Sequence, residues 1–501
     1  MTSLENNIAI SFRDAESFNA VRAAVRTKII CTIGPKTKSV ETLGKLVEAG
    51  MNVMRLNFSH GDHAYHSGVI TNLREYLAAS KRMAAIMLDT KGPEIRTGKL
   101  VGGKDIELEA GQQLTLTTDY THVGTKDMIA QSYAELGSSV KEGSEVLIDD
   151  GLVALIVERV NGEHVICRVK NGGLLGETKG VNLPGAVVEL PALTEKDKGD
   201  LKFGCEQKVD LVAASFIRKA SDVVQIREYL TANGGAAIKI ISKIENQEGL
   251  QNFDDILKVS DGIMVARGDL GVEIAIEKVA IAQKMMISKC NVAGKPVVTA
   301  TQMLESMVKN PRPTRAETTD VANAVFDGSD CVMLSGETAK GDYPVETVTT
   351  MASICREAEK ALDYGHTFNS LRQLLRKMEQ VSVTETITSS AVKTAYDVGS
   401  RIILCLTETG NTARLVCKYR PSAPVICVTS NEATARQMLI HRGAFPLCVG
   451  SMMATESLIA RSLVRASSSG LCAKGDLVVV VSGMREGVSG ATNVLRVLTV
   501  E

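Results

Sequence analysis

The sequence is short of the features that mark several classes of protein. Eleven cysteines, an odd number, are scattered singly with no Cys-x-x-Cys, which fits neither a disulfide framework nor a zinc site. Neither sign of charge is in excess: 57 Lys and Arg stand against 58 Asp and Glu, so nothing suggests nucleic-acid electrostatics. Long apolar runs are missing too. The strongest, such as LVVVV at 477–481, are far too short to span a bilayer, and the opening MTSLENNIAISFRDAESF carries acids and no apolar leader core. No short repeat or low-complexity tract stands out. These absences point to a cytoplasmic protein with no membrane and no nucleic-acid partner, most of whose cysteines are reduced core residues.

What is there is a long chain with a regular rhythm. At 501 residues, 44% of them apolar and 23% charged, it exceeds what one hydrophobic core usually supports. Strand-length apolar runs, each followed by an amphipathic stretch, recur as TKIICTIGP, NVMRLNFSHG, AAIMLDTKG, then VDLVAASFI, IKIISKIEN, GIMVARGDLG, PVVTATQML and CVMLSGETA. Eight strands alternating with helices predict a (β/α)8 TIM barrel, whose working residues stand at the carboxyl ends of the strands. Polar groups gather there: Arg55, Asn57 and Ser59; Asp89 and Thr90; Lys243 and Glu245; Arg267 and Asp269; Thr301; Ser335 and Glu337.

About 100 residues between the third and fourth runs have a different texture. Short alternating strands broken by Asp-Asp-Gly, Asn-Gly and Asn-Gly-Gly predict an inserted all-β module, attached at the carboxyl-end face where it could close as a lid. A third βα series, from RIILCLTETG to NVLRVLTVE, predicts an open α/β domain at the C-terminus. The expected boundaries are 1–24 for an N-terminal helical segment, 25–91 and 190–362 for the barrel, 92–189 for the inserted β-barrel lid, and 363–501 for the C-terminal α/β domain.

The chemistry turns on IKIISKIEN. In a strand, Lys243 and Glu245 point to the same side, so a charged pair leaves the end of an apolar run together. Glu245 and Asp269, on neighbouring strands, offer two oxygen ligands to one Mg²⁺, which takes one or two carboxylates and completes its shell with water and substrate oxygens. The alternative is a buried salt bridge, Lys243 to Glu245 or Arg267 to Asp269. Small residues around Asp269 in ARGDLG favour an anion nearby. Lys243, Arg55 and Arg96 suit a transferring phosphoryl group. No Gly-x-x-x-x-Gly-Lys-[Ser/Thr] occurs; Gly92 to Gly98-Lys99 has one residue too many, so any nucleotide is held differently. Asn57, Ser59, Asp89 and Thr90 could coordinate a second cation or merely bond the strand ends. His60, His63 and His66 are either a metal cluster or a loop running into a helix start.

CTIGP, MRLNFSHG, LDTKGPEIRTG, KGVNLPG, ISKIEN, MVARGDLG, ATQMLESM, NPRPTRAE and MLSGETAKGDYP together resemble the pyruvate kinase family, from about residue 25 to the C-terminus. The resemblance implies transfer of a phosphoryl group from phosphoenolpyruvate to ADP, giving ATP and pyruvate. It implies Mg²⁺ (or Mn²⁺) on Glu245 and Asp269, and K⁺ among Asn57, Ser59, Asp89 and Thr90, with Glu94 matching the K⁺-dependent members. Lys243 then steadies the phosphoryl group in flight, and backbone groups of Gly268 and Asp269 grip the substrate carboxylate. Thr301 lies where the enolate takes its proton, backed by Ser335 and Glu337. Arg55, Asn57, His60, Arg96 and Lys179 match nucleotide-contacting positions. A metal-dependent lyase on the same barrel is the rival, but it leaves the inserted module, Arg96 and Lys179 without a role.

The resemblance also implies a sugar-phosphate effector on TETGNT, through Thr407, Thr409, Gly410, Asn411 and Thr412, with Arg485 from a late loop. Glu408 and Asn411 depart from the basic character of several activated members. A homotetramer is implied, with Arg312 and Arg315 near a subunit contact.

Overall fold

A computed structural model describes residues 25–375, 381–468, 470–484 and 492–501. The expected N-terminal helical segment lies outside the described residues. Eight parallel strands close into a barrel: β1 (Lys28–Thr32), β2 (Met51–Asn57), β3 (Ala85–Asp89), β4 (Leu211–Ala214), β5 (Lys239–Ile244), β6 (Gly262–Ala266), β7 (Val297–Ala300) and β8 (Cys331–Leu334). They coincide with the eight apolar runs of the sequence. Because these strands are covered on both faces, they read as continuous apolar runs instead of alternating ones.

The helices between them begin at residues that can cap. Ser39 accepts a bond from the Thr42 amide ahead of helix 40–49, and Asp62 does the same from Tyr65 ahead of helix 63–80. Thr194 with Asp197, and Thr314 with Glu317, form capping boxes. Gly34 in CTIGP is fixed by close approach: a Cβ there would sit 2.4 Å from the Ala339 carbonyl oxygen.

The inserted module, between β3 and β4, carries a seven-stranded sheet and a separate two-stranded pair around its own core of Leu114, Leu116, Val146, Leu155 and Val165. It meets the barrel again through Asn182, whose amide donates to Glu273 Oε1 at 2.8 Å.

The C-terminal α/β domain holds five strands: β9 (Ile403–Leu406), β10 (Val425–Thr429), β11 (Ala444–Cys448), β12 (Leu477–Gly483) and β13 (Thr492–Thr499). Their order is β11-β10-β9-β12-β13, with only the last pairing antiparallel. This domain docks on the amino ends of the barrel strands. Leu439 and Ile440 join Ile30, Val53, Met87, Ile241, Met264 and Met333 in one apolar cluster, so they plug the barrel interior from below. Arg420 grips Asp330 at 2.7 and 2.9 Å, and Gln437 donates to Ala237 O at 2.8 Å.

All eleven cysteines are unbridged, and all but Cys205 are buried. Among the described residues no helix is long and apolar enough to cross a membrane.

Candidate active site

The carboxyl ends of β2 to β6 build one charged constellation. Along β5 the side chains alternate as the sequence requires: Ser242 faces outward and pairs with Ser260 Oγ at 2.7 Å, while Lys243 faces the barrel mouth. There the Lys243 ammonium meets Ser215 Oγ at 2.7 Å, Glu245 Oε1 at 2.9 Å and Asp89 Oδ1 at 3.1 Å. Burial alone would lower its pKa, but Asp89 and Glu245 outweigh that and hold it above the usual lysine value. Asp89 is placed by β3, in register with Asn57 of β2. Its second oxygen accepts from Arg55 Nε at 2.6 Å, and Arg55 also donates to Thr32 Oγ1 at 2.8 Å. Burial works against the Asp89 charge, yet Arg55 and Lys243 keep its carboxyl below the ordinary range.

Glu245, just past β5, is 1% exposed. Its Oε2 accepts from the Phe216 amide at 2.6 Å, and the Asp269 carboxyl is near enough to act on its charge. Burial, with Asp269 adding to it against the pull of Lys243, pushes Glu245 up to about 7. Asp269 is raised as well, first by burial. Two neighbouring buried carboxyls thus resist ionising together. An oxygen-only set of this size suits Mg²⁺, which needs few protein ligands. Among the described residues no group of three or more His, Cys, Asp or Glu is placed to hold a metal by itself.

The two salt-bridge alternatives part here. Lys243 does pair with Glu245, as well as lying in the site. Arg267 does not pair with Asp269. It turns away to Asp320, with both contacts at 2.7 Å, and donates to Thr301 O at 2.7 and 3.2 Å. That leaves Asp269 to Glu245 and explains what holds Thr301 at φ 74°, a conformation β-branched residues strongly disfavour. Gly268 lies against it: a Cβ on Gly268 would be 3.0 Å from Thr301 Cγ2. Behind them Glu337 is fully buried, accepting from the Leu304 amide at 3.1 Å and the Ser335 amide at 2.7 Å. Burial raises its pKa.

Asn57 and Ser59 stand at the end of β2 and Asp89 and Thr90 at the end of β3, with Asn57 and Asp89 in register, and the side chains of Asn57 and Thr90 bond backbone there. Asn57 Oδ1 accepts from the Ser59 amide at 3.1 Å, and Thr90 Oγ1 accepts from the Ser215 amide at 3.1 Å. A cleft of about 970 Å³ between barrel and inserted module is lined by Asn57, His60, Arg96, Lys179 and Asp269 among others. Arg96 Nε is bonded to Glu94 at 2.6 Å, and Lys179 Nζ is 2.9 Å from Asp149 Oδ2. His63 and His66 belong to the helix start: His63 Nε2 lies 2.8 Å from Asp200, and His66 stacks on Phe58 at 4.0 Å.

Sequence reasoning missed Ser215 and Phe216. They follow β4, which with β1 is one of two strands for which no polar end was singled out, although ASF directly after VDLVA carried the signal. The expected effector residues are elsewhere, in the C-terminal domain. Thr407 and Thr412 are buried, and Thr412 Oγ1 pairs with Thr492 Oγ1 at 2.6 Å. Thr409, Gly410 and Asn411 border a different cleft. Arg485 lies outside the described residues.

Two family models match this chain: "Pyruvate kinase, barrel domain" over residues 24–348 and "Pyruvate kinase, alpha/beta domain" over residues 385–498. A pyruvate kinase of Dictyostelium discoideum is 56% identical over 506 residues, covering 100% of this chain and 98% of that protein. The cytosolic isozyme of pyruvate kinase from Nicotiana tabacum is 49% identical over 499 residues, covering 95% and 96%. A crystal structure of a pyruvate kinase from Cryptosporidium parvum superposes with a TM-score of 0.92 at 48% identity, covering 96% of this chain and 97% of that one.

Proposed function

The chain belongs to the pyruvate kinase family and is a phosphotransferase, and on that premise we propose how its own residues move a phosphoryl group from phosphoenolpyruvate to ADP. The observation that carries the reading is the Lys243 ammonium, buried at the barrel mouth, charged, and aimed at the point where Asp89, Ser215 and Glu245 converge. Such a preorganised cation stabilises charge on the equatorial oxygens of a phosphoryl group without reorganising during the reaction.

Phosphoenolpyruvate enters with its phosphate toward Lys243 and Arg55 and its carboxylate toward the backbone at Gly268 and Asp269. Glu245 and Asp269 would hold Mg²⁺ (or Mn²⁺), which would supply a Lewis acid to the substrate oxygens. Asn57, Ser59, Asp89 and Thr90 would hold K⁺, which would supply further positive charge to the phosphate site. The nucleotide lies in the cleft lined by Asn57, His60, Arg96 and Lys179, and closure of the inserted module over it excludes water, the competing acceptor. As the phosphoryl group leaves, Lys243 follows its charge. The enolate is then protonated on the Thr301 side, with Ser335 and Glu337 carrying the proton in.

The same reading extends to a homotetramer with Arg312 and Arg315 at a subunit contact, a cytoplasmic location like that named for the Nicotiana relative, and a sugar-phosphate effector on Thr407 to Thr412. The test is pyruvate formation from phosphoenolpyruvate and ADP with Mg²⁺, with and without K⁺, and then with a panel of sugar phosphates. Turnover that needs both ions and both substrates is expected. No turnover under any of these conditions would overturn the reading.

A further inference from the structure

We propose that the cleft between the base of the barrel and the C-terminal domain is a second anion-binding site, sized for a small phosphate monoester. It has a volume of about 390 Å³, within the range of small-molecule sites. The barrel contributes Lys239, Lys258 and Lys295; the C-terminal domain contributes Thr409, Asn411 and Arg414. This goes beyond the phosphotransfer reading: no active-site residue lines the cleft, and of the effector loop it takes Thr409, Gly410 and Asn411 but not Thr407 or Thr412.

The charge there is unbalanced. Four cations face a single carboxylate, Asp261, and that group is already engaged by the Arg227 guanidinium and by the Ile240 amide at 2.9 Å. Lys258 has Asp255 at 2.8 Å. Lys295 gives its protons to the carbonyls of Leu257, Lys258 and Ser260 at 2.6 to 2.8 Å, so it contributes field and no free donor.

Lys239 and Arg414 are different. Lys239 comes no nearer to Asp261 than 3.9 Å. Arg414, half-buried, donates only to neutral acceptors, Gly294 O at 2.6 Å and Asn411 Oδ1 at 2.8 Å, and among the described residues no carboxylate lies within ion-pair distance of it. A partly buried guanidinium without an anion is costly unless a ligand supplies one, and its planar fork fits a phosphate.

The local field agrees with this geometry. Burial pulls the Arg414 and Lys295 pKa values down. Burial, then Arg414, Arg420 and Lys239 against Asp330, push His441 down to about 3. Glu408, the acid that the effector loop brings, is held aside by Ser430 Oγ at 3.0 and 3.2 Å. An anion seated here touches both domains and so ties the C-terminal domain to the barrel.

Inorganic phosphate and glucose 6-phosphate serve as probes on the full chain at low ionic strength, with binding followed by amide hydrogen exchange. The expected result is slowed exchange at both 258–262 and 409–414. Arg414→Gln weakens binding by about tenfold or more. Because that variant also loses the bond to Gly294, Lys239→Glu provides the second arm: its side chain is 38% exposed, and the same loss is expected with an unchanged melting temperature. Protection confined to 407–412 and indifferent to Lys239→Glu would overturn the proposal, as would no protection at millimolar probe.

Discussion

The barrel buries a lysine at each end, and the two are treated in opposite ways. At the carboxyl end, Lys243 is 8% exposed and has two carboxylates within 3.1 Å, which hold its charge. At the amino end, Lys28 is 1% exposed, donates to Ala444 O at 2.7 Å and lies 4.3 Å from the Phe445 ring centre. Without an adjacent carboxylate, burial lowers its pKa to about 8. Burial alone does not make a catalytic cation; the carboxylates around it do. The comparison extends to the whole end faces. The lower one is closed by Leu439, Ile440 and the Arg420 grip on Asp330, whereas the upper one leaves Glu245 and Asp269 as neighbouring carboxyls whose pKa values burial raises.

The largest effect should come from the upper face. Glu245→Gln removes one of the two carboxyls proposed for the divalent ion, and a fall in kcat of about 10²–10³-fold is expected, with a higher Mg²⁺ requirement in a titration of initial rates. At the lower face the loss should be in stability. Ile440→Ala leaves a void under the barrel interior and should cost about 2–4 kcal/mol, seen by calorimetry, with the KM for phosphoenolpyruvate unchanged in the folded fraction.

Ser215→Ala tests whether Lys243 depends on a positioning hydroxyl as well as on charge. A kcat loss of about tenfold is expected, with Thr at this position restoring part of it.

The smallest effect separates the two lysines by pH. Lys28 has a folded pKa below its unfolded value, so between pH 8 and 10.5 the unfolded chain binds more protons and the stability contribution of Lys28 rises with pH. The melting temperature of the parent should therefore gain on that of Lys28→Met as pH is raised through that window.

The barrel was legible because each of its strands is an unbroken apolar run between capped helices, and the polar ends of those runs gave Lys243, Glu245, Asp269 and Asp89. Pairings across the mouth were not legible. That Arg267 turns to Asp320 and not to Asp269 depends on a helix about fifty residues later, and no local spacing reports it. Ser215 was readable in principle but hidden beside Phe216, whose positive φ of 56° brings its amide to Glu245. The plug of Leu439 and Ile440 lies in a short turn between a helix and strand β11, with no local mark of its role. Its role comes only from docking onto the other domain.

The most direct test sets Lys243→Met beside Lys28→Met and measures pyruvate formation and melting temperature for both. Turnover abolished in Lys243→Met with its melting temperature retained, and turnover retained in Lys28→Met, is the predicted outcome. Near-parent turnover in Lys243→Met would contradict the account.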